Sequence, residues 1–110
     1  MLIDRQRALD ELGIPEEVYD ELLQDFIAQT EPALAALLGA VGSQNLVDTA
    51  KTAHFVKGSA GNLRLDDLYL LAKEIESGAK GNQDTRILAE NVSKLQAMFE
   101  ELKKIILRNG

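Results

Sequence analysis

His54 is the only histidine among 110 residues. Lys57 follows three positions later and Gly58 four positions later. In a helix, those spacings place all three on one face. A nucleophile, a positive charge and a missing side chain would then form one small surface site. That combination suits a protein that carries a phosphoryl group and hands it to another protein. A neutral imidazole nitrogen can attack phosphorus to give a phosphoramidate, and imidazole is largely neutral near pH 7. The phosphoryl oxygens are anionic, so Lys57, one turn away, is placed to neutralise them.

Plainer readings of the same residues stand beside this one. His54 falls at the margin of the apolar stripe of its helix, where a half-buried structural histidine also fits. Lys57 also reads as a solvated surface lysine. Glycine inside a helix costs about 1 kcal/mol relative to alanine, and both Gly58 and Gly61 flank the histidine. Either side-chain bulk has been removed around His54, or the stretch from Gly58 to Asn62 is a helix C-terminus with Gly61 or Asn62 in the left-handed conformation.

The run Ala53-His54-Phe55-Val56-Lys57-Gly58-Ser59-Ala60-Gly61-Asn62-Leu63 resembles the signature of histidine phosphotransfer domains of two-component relays. That pattern reads Ala-His-x-apolar-Lys-Gly-Ser/Ala, then small residues, then Asn/Ser-apolar-Gly. The match ends at Arg64, where the family usually has glycine. The resemblance covers most of the chain. It includes Asp4 to Leu9 ahead of Leu12-Gly13, the run Tyr19, Leu22, Leu23, Phe26, and the pair Ile75-Glu76.

The resemblance implies a helix that continues through Gly58 and a phosphoryl group accepted on His54. It also implies relay to or from the aspartate of a response-regulator receiver domain. In the family, an acid or amide 22 residues after the histidine packs beside it from the next helix; here that is Glu76, which would hold the Nδ1 proton and leave Nε2 as the nucleophile. A solvated Glu76 paired with Lys73 or Lys80 is the other reading. Gly58, Phe55 and Gly61 are candidate receiver-docking positions, with packing against the N-terminal helix as the alternative for Phe55. Arg64 suits capping of a helix C-terminus.

The elements that must position these residues are almost all helical, because apolar residues recur at spacings of three and four and strand-like alternation is nearly absent. Asp4 to Leu12 reads as a short helix closed by Gly13. Pro15 suits the first turn of the next helix, which carries Tyr19, Leu22, Leu23, Phe26, Ile27, Leu34, Leu37, Leu38 and Val41 at spacings of three and four. Pro32 lies inside it and predicts a kink near Ala28 to Thr30. Gly42-Ser43 ends that helix, with Ser43 or Asn45 as the next N-cap. A third helix carries Leu46, Ala50, Ala53, Val56, Ala60 and Leu63 on one stripe. The fourth opens at Asp66-Asp67, buries Leu68, Leu71, Ala72, Ile75 and Ala79, and stops between Gly78 and Gly81. The last is capped by Asp84, turns Ile87, Leu88, Val92, Leu95, Phe99, Leu102 and Ile106 inward, and ends at Asn109-Gly110. The expected fold is all-α, an up-down-up-down four-helix bundle with a short additional N-terminal helix, as one domain over residues 1–110.

Composition narrows the function classes. A net charge of −6 disfavours nucleic acid, which is held mainly by Lys and Arg contacts to phosphate, and disfavours anionic membrane surfaces. No stretch of about 18 apolar residues is present, and the first residues show no signal segment. With no cysteine, neither disulfides nor thiolate metal sites are available. One histidine beside a lysine makes a poor metal site. There is no phosphate-cradling glycine loop, no Ser-His-Asp arrangement and no ATP-binding signature. The expectation is therefore a cytoplasmic, monomeric phosphocarrier with no cofactor and no autokinase activity. Its partners would be a receiver domain, which supplies the aspartate and Mg²⁺, and a cognate (hybrid) histidine kinase. The competing function is a non-catalytic adaptor bundle whose histidine is vestigial.

Overall fold

The computed structural model describes residues 2–109, which form five helices and no strand. They are α1 (Arg5–Leu12), α2 (Glu16–Gly42), α3 (Leu46–Asn62), α4 (Asp66–Lys80) and α5 (Thr85–Asn109). Helix α2 packs on α3, α3 on α4, α4 on α5 and α5 back on α2, so the four long helices close an antiparallel bundle. Short connections at 43–45, 63–65 and 81–84 enforce the up-down-up-down order. Gly110, placed by the sequence at the end of α5, lies outside the described residues.

Local chemistry sets the helix ends. The Asp4 carboxylate accepts from the Arg7 N–H, and the Asn45 side chain accepts from the Asp48 N–H. Asp84 accepts from the Arg86 N–H at the start of α5. Three helices end in the same six-residue closure. Asn45 N–H reaches Ala40 O, Leu65 N–H reaches Ala60 O, and Gln83 N–H reaches Gly78 O. Each closure needs one left-handed residue, and the residues that take it are Gln44, Arg64 and Asn82, with φ of 58, 61 and 57°. Arg64 therefore fills a glycine-type position with a side chain. Its guanidinium donates to Gly61 O at 3.0 Å and to Glu11 at 2.8 Å, which caps α3 and ties it to α1.

The core runs through the bundle from Tyr19, Leu23, Phe26, Leu34 and Leu37 of α2 to Leu88, Leu95, Phe99 and Leu102 of α5. Phe26 and Phe99 meet with centroids 6.3 Å apart at 54°, a tilted pairing worth about 1 kcal/mol beyond area burial. The buried Tyr19 hydroxyl donates to Leu63 O at 2.7 Å, which pins α2 to the end of α3. Helix α1 covers that end through buried Ala8, the Arg5 guanidinium over the Tyr19 ring and the Arg7–Asp66 ion pair.

The inward assignments of Ile87 and Leu71 are corrected, and two apolar residues of α2 also lie off the core. Leu22, Leu38 and Ile87 are exposed, and Leu71 is only half-buried. In α2 the buried line is Tyr19, Leu23, Phe26, Ile27, Thr30, Leu34, Leu37 and Val41, and Leu22 and Leu38 stand one step outside it. In α5 the line starts at Leu88, about 100° around the helix from Ile87. Helix α2 runs continuously through Pro32. Helix α4 ends at Lys80 with Gly81 as its C-cap, within the expected stretch from Gly78 to Gly81.

Helix α3 turns mostly small residues inward: Thr49, Ala50, Ala53, Val56 and Ala60. Small side chains let a neighbouring backbone come close, and α4 shares its most extensive contact with α3. A Cβ added at Gly61 would stand 3.2 Å from Cδ2 of Tyr69, so that glycine also serves the α3–α4 approach. This closeness lets a carboxylate on α4 reach a histidine on α3.

Candidate functional site

The His54 side chain is 66% exposed on α3, and the Glu76 side chain opposite it on α4 is only 6% exposed. Nδ1 of His54 lies 2.9 Å from Oε2 of Glu76. Lys57 Nζ lies 2.7 Å from Oε1, and Lys80 Nζ lies 2.9 Å from Oε2. Glu76 is thus a buried carboxylate with one imidazole and two ammonium groups on its oxygens. Burying an unpaired charge is costly, and these contacts offset that cost.

Lys57 beside it holds the Glu76 carboxyl well below the usual carboxylate range, at about 2, with Lys80 and His54 adding to the effect and burial opposing it. The group is therefore ionised at neutral pH and can only accept. The hydrogen bond must come from Nδ1–H, so the neutral ring carries its lone pair on Nε2. A lone pair on an exposed ring is a nucleophile ready for an external electrophile. The exposure of His54 also removes the half-buried structural reading.

The other sequence candidates separate here. Lys57 shares the His54 face, yet its ammonium reaches Glu76, and its side chain is 23% exposed. Gly58 is helical and exposed, and a Cβ there would meet nothing within 4 Å. Neither a turn nor packing requires that glycine. Gly61 is half-buried against Tyr69, so its missing side chain serves helix packing rather than an open surface. Phe55 is exposed on α3 and is not buried beneath α1. The solvated reading of Glu76 is corrected, because the carboxylate is buried, although it does pair with Lys80 while it engages His54.

The part that sequence reasoning underweighted is Lys80. Its spacing of four from Glu76 within one helix is the signal that finds it. Among the described residues, no group of three or more His, Cys, Asp or Glu side chains is placed to hold a metal ion. No helix among them is long and apolar enough to cross a membrane.

Comparison with known proteins bears on the family and the fold. The family described as the Hpt domain matches residues 21–105. The fold is similar to that of the crystal structure of histidine-containing phosphotransfer protein B (HptB) from Pseudomonas aeruginosa PAO1. That similarity has a TM-score of 0.82 at 23% sequence identity, over 98% of this chain and 92% of that one. No curated protein matches the chain.

Proposed function

The chain belongs to the Hpt domain family and has a histidine phosphotransfer role in a phosphorelay; we propose that His54 is the residue that carries the phosphoryl group, through Nε2. The observation that carries this reading is the 2.9 Å contact between His54 Nδ1 and the ionised Glu76. It fixes the reactive tautomer on an exposed ring.

In the proposed step the Nε2 lone pair attacks the phosphorus of an aspartyl phosphate on a receiver domain. A phosphorus–nitrogen bond forms, the phosphorus–oxygen bond to the aspartate breaks, and the carboxylate leaves with its electron pair. The ring keeps its Nδ1 proton and becomes cationic. Glu76 orients the ring and stabilises that cation. Lys57 holds Glu76 and places positive charge one turn from the reacting nitrogen. The reverse step returns the group to an aspartate.

Gly58 leaves the surface beside His54 clear for a receiver backbone, Phe55 offers an apolar contact next to it, and Gly61 marks the packed edge of that face. Hpt domains work with kinases and response regulators, and the partners proposed for this chain are a receiver domain and a hybrid histidine kinase. Residues 1–110 act as one monomeric domain in the cytoplasm. It is a phosphocarrier without autokinase activity.

The test is to incubate the protein with ATP alone and, separately, with a panel of phosphorylated receiver domains. Acid-labile label from at least one receiver and none from ATP is the expected result. Label from ATP alone would overturn the carrier reading. Absence of label from every receiver would favour an adaptor bundle.

A further inference from the structure

Lys57 is committed to Glu76, and its side chain is mostly buried. Its contact with Oε1 is the first cause of the depressed carboxyl. To follow a phosphoryl group on Nε2, Lys57 would have to abandon a buried anion. Lys80 is placed differently. Its side chain is 66% exposed, and it shares Oε2 with His54. The ammonium end of this pair lies in water while the carboxylate end is sheltered, so releasing Lys80 strands no buried cation. When Lys80 leaves, Glu76 keeps Lys57 on one oxygen and His54 on the other.

A groove of about 310 Å³ opens beside the histidine, lined by Ala50, Lys51, His54, Glu76 and Lys80. One lysine comes from each helix, and Lys51 and Lys80 are both exposed. The floor includes Ala50, so no large side chain fills the space. The groove lies on the N-terminal side of His54, away from Gly58. A dianion delivered past Gly58 therefore has a cationic recess on the other side of the ring.

Building on the assignment of His54 as the carrier, we infer that Lys80 is the mobile cation of the site: it leaves Glu76 on phosphorylation and donates to the phosphoryl oxygens across the groove, with Lys51 on the facing wall. No bond to Lys80 forms or breaks. Its ammonium changes acceptor from a carboxylate that is already paired to a dianion that is not. Division of labour follows from burial. Lys57 keeps the histidine poised in the empty state, and Lys80 holds the charged state.

The phosphorylated state reads this directly. Potassium phosphoramidate is a small donor that needs no protein partner; phosphorus passes from its nitrogen to Nε2 and ammonia leaves. The full chain is treated with it, and the ³¹P shift of the phosphohistidine is followed against pH. The charges around the phosphoryl group are Lys51 and Lys57 on α3 and Glu76 and Lys80 on α4. A cation in contact favours the dianion and lowers its titration midpoint. Lys80→Ala should raise that midpoint by roughly half a unit to one unit. Lys80→Arg should restore it, and Lys73→Ala, on the same helix outside the groove, should leave it in place. An unchanged midpoint in Lys80→Ala, or an equal shift in Lys73→Ala, overturns the inference. If Lys80 acted only through Glu76, the imidazole ¹⁵N shifts would move and the phosphoryl midpoint would not. A missing phosphohistidine signal in the parent chain would instead count against His54 as the carrier, so the two failures are distinct.

Discussion

His54 and Glu76 lie 22 residues apart, on two different helices, and meet at 2.9 Å. The contact is one-sided in burial, with an exposed ring on a sheltered carboxylate. In the proposed mechanism this contact orients the ring and leaves Nε2 facing outward. Losing such an orienting partner typically costs about 10- to 100-fold in function. Glu76→Ala should therefore slow transfer by about that factor and populate both imidazole tautomers, read by ¹⁵N NMR. Lys57→Ala should slow transfer by about ten- to a thousand-fold through the loosened Glu76 and the lost charge. A single Nε2-lone-pair tautomer in Glu76→Ala would show that the carboxylate does not set it.

The same carboxylate makes stability depend on pH in a defined window. Its folded value is about 2, against an ordinary value of 4.5. A depressed acid contributes stability that is present above its unfolded value and lost as pH falls through its folded one. The stability difference between parent and Glu76→Gln should thus shrink as pH drops from about 4.5 to about 2. Urea unfolding across that window checks it. A difference that stays constant would mean that Glu76 is not held ionised by its neighbours.

Three glycines that look alike in sequence should respond differently to alanine. Gly58→Ala meets no neighbour and should stabilise the fold by about 1 kcal/mol. Gly78→Ala puts a Cβ 2.3 Å from the Gln83 side chain and 3.1 Å from buried Leu88, and should destabilise. Gly61→Ala crowds Tyr69 at 3.2 Å and should gain less than Gly58→Ala. Gly58→Gln should fold normally yet weaken receiver binding and transfer. Thermal unfolding beside transfer rates separates these, and normal transfer by Gly58→Gln would remove the docking role.

Most of the fold was legible because helix period, caps and turn residues agreed. Asp4, Asn45 and Asp84 announce three helix starts. The apolar residues that stay off the core line share one cause. Leu22, Leu38 and Ile87 lie within one step of a true stripe, and a one-residue angular error cannot be detected from apolar identity alone. At the site, His54 and Gly58 were visible as local spacing. Glu76 came from resemblance, since nothing in the chain says which of its 18 acids crosses to α3. The sharing of Glu76 among His54, Lys57 and Lys80 was not visible, because it depends on how closely α4 approaches the small residues of α3. Gly61 resembles a surface glycine in sequence because its neighbour Tyr69 belongs to another helix.

The left-handed closures offer a test of the turn after α3. A non-glycine residue in that conformation costs about 1 kcal/mol. Gln44→Gly should recover most of that at φ 58°. Arg64→Gly removes the same strain but also the bonds to Gly61 O and Glu11, so it should gain less or lose. Chemical denaturation of both variants decides it. An equal gain would mean that the Arg64 guanidinium contributes nothing to holding α1 and α3 together.

The identity of the carrier is tested most directly by one substitution. His54→Gln and the parent are incubated with the same phosphorylated receiver, and acid-labile phosphate on the chain is measured. The side chain is exposed, so helical content and melting should be nearly unchanged. The expected result is full loss of label in a folded protein. Acid-labile label retained by His54→Gln would contradict the assignment.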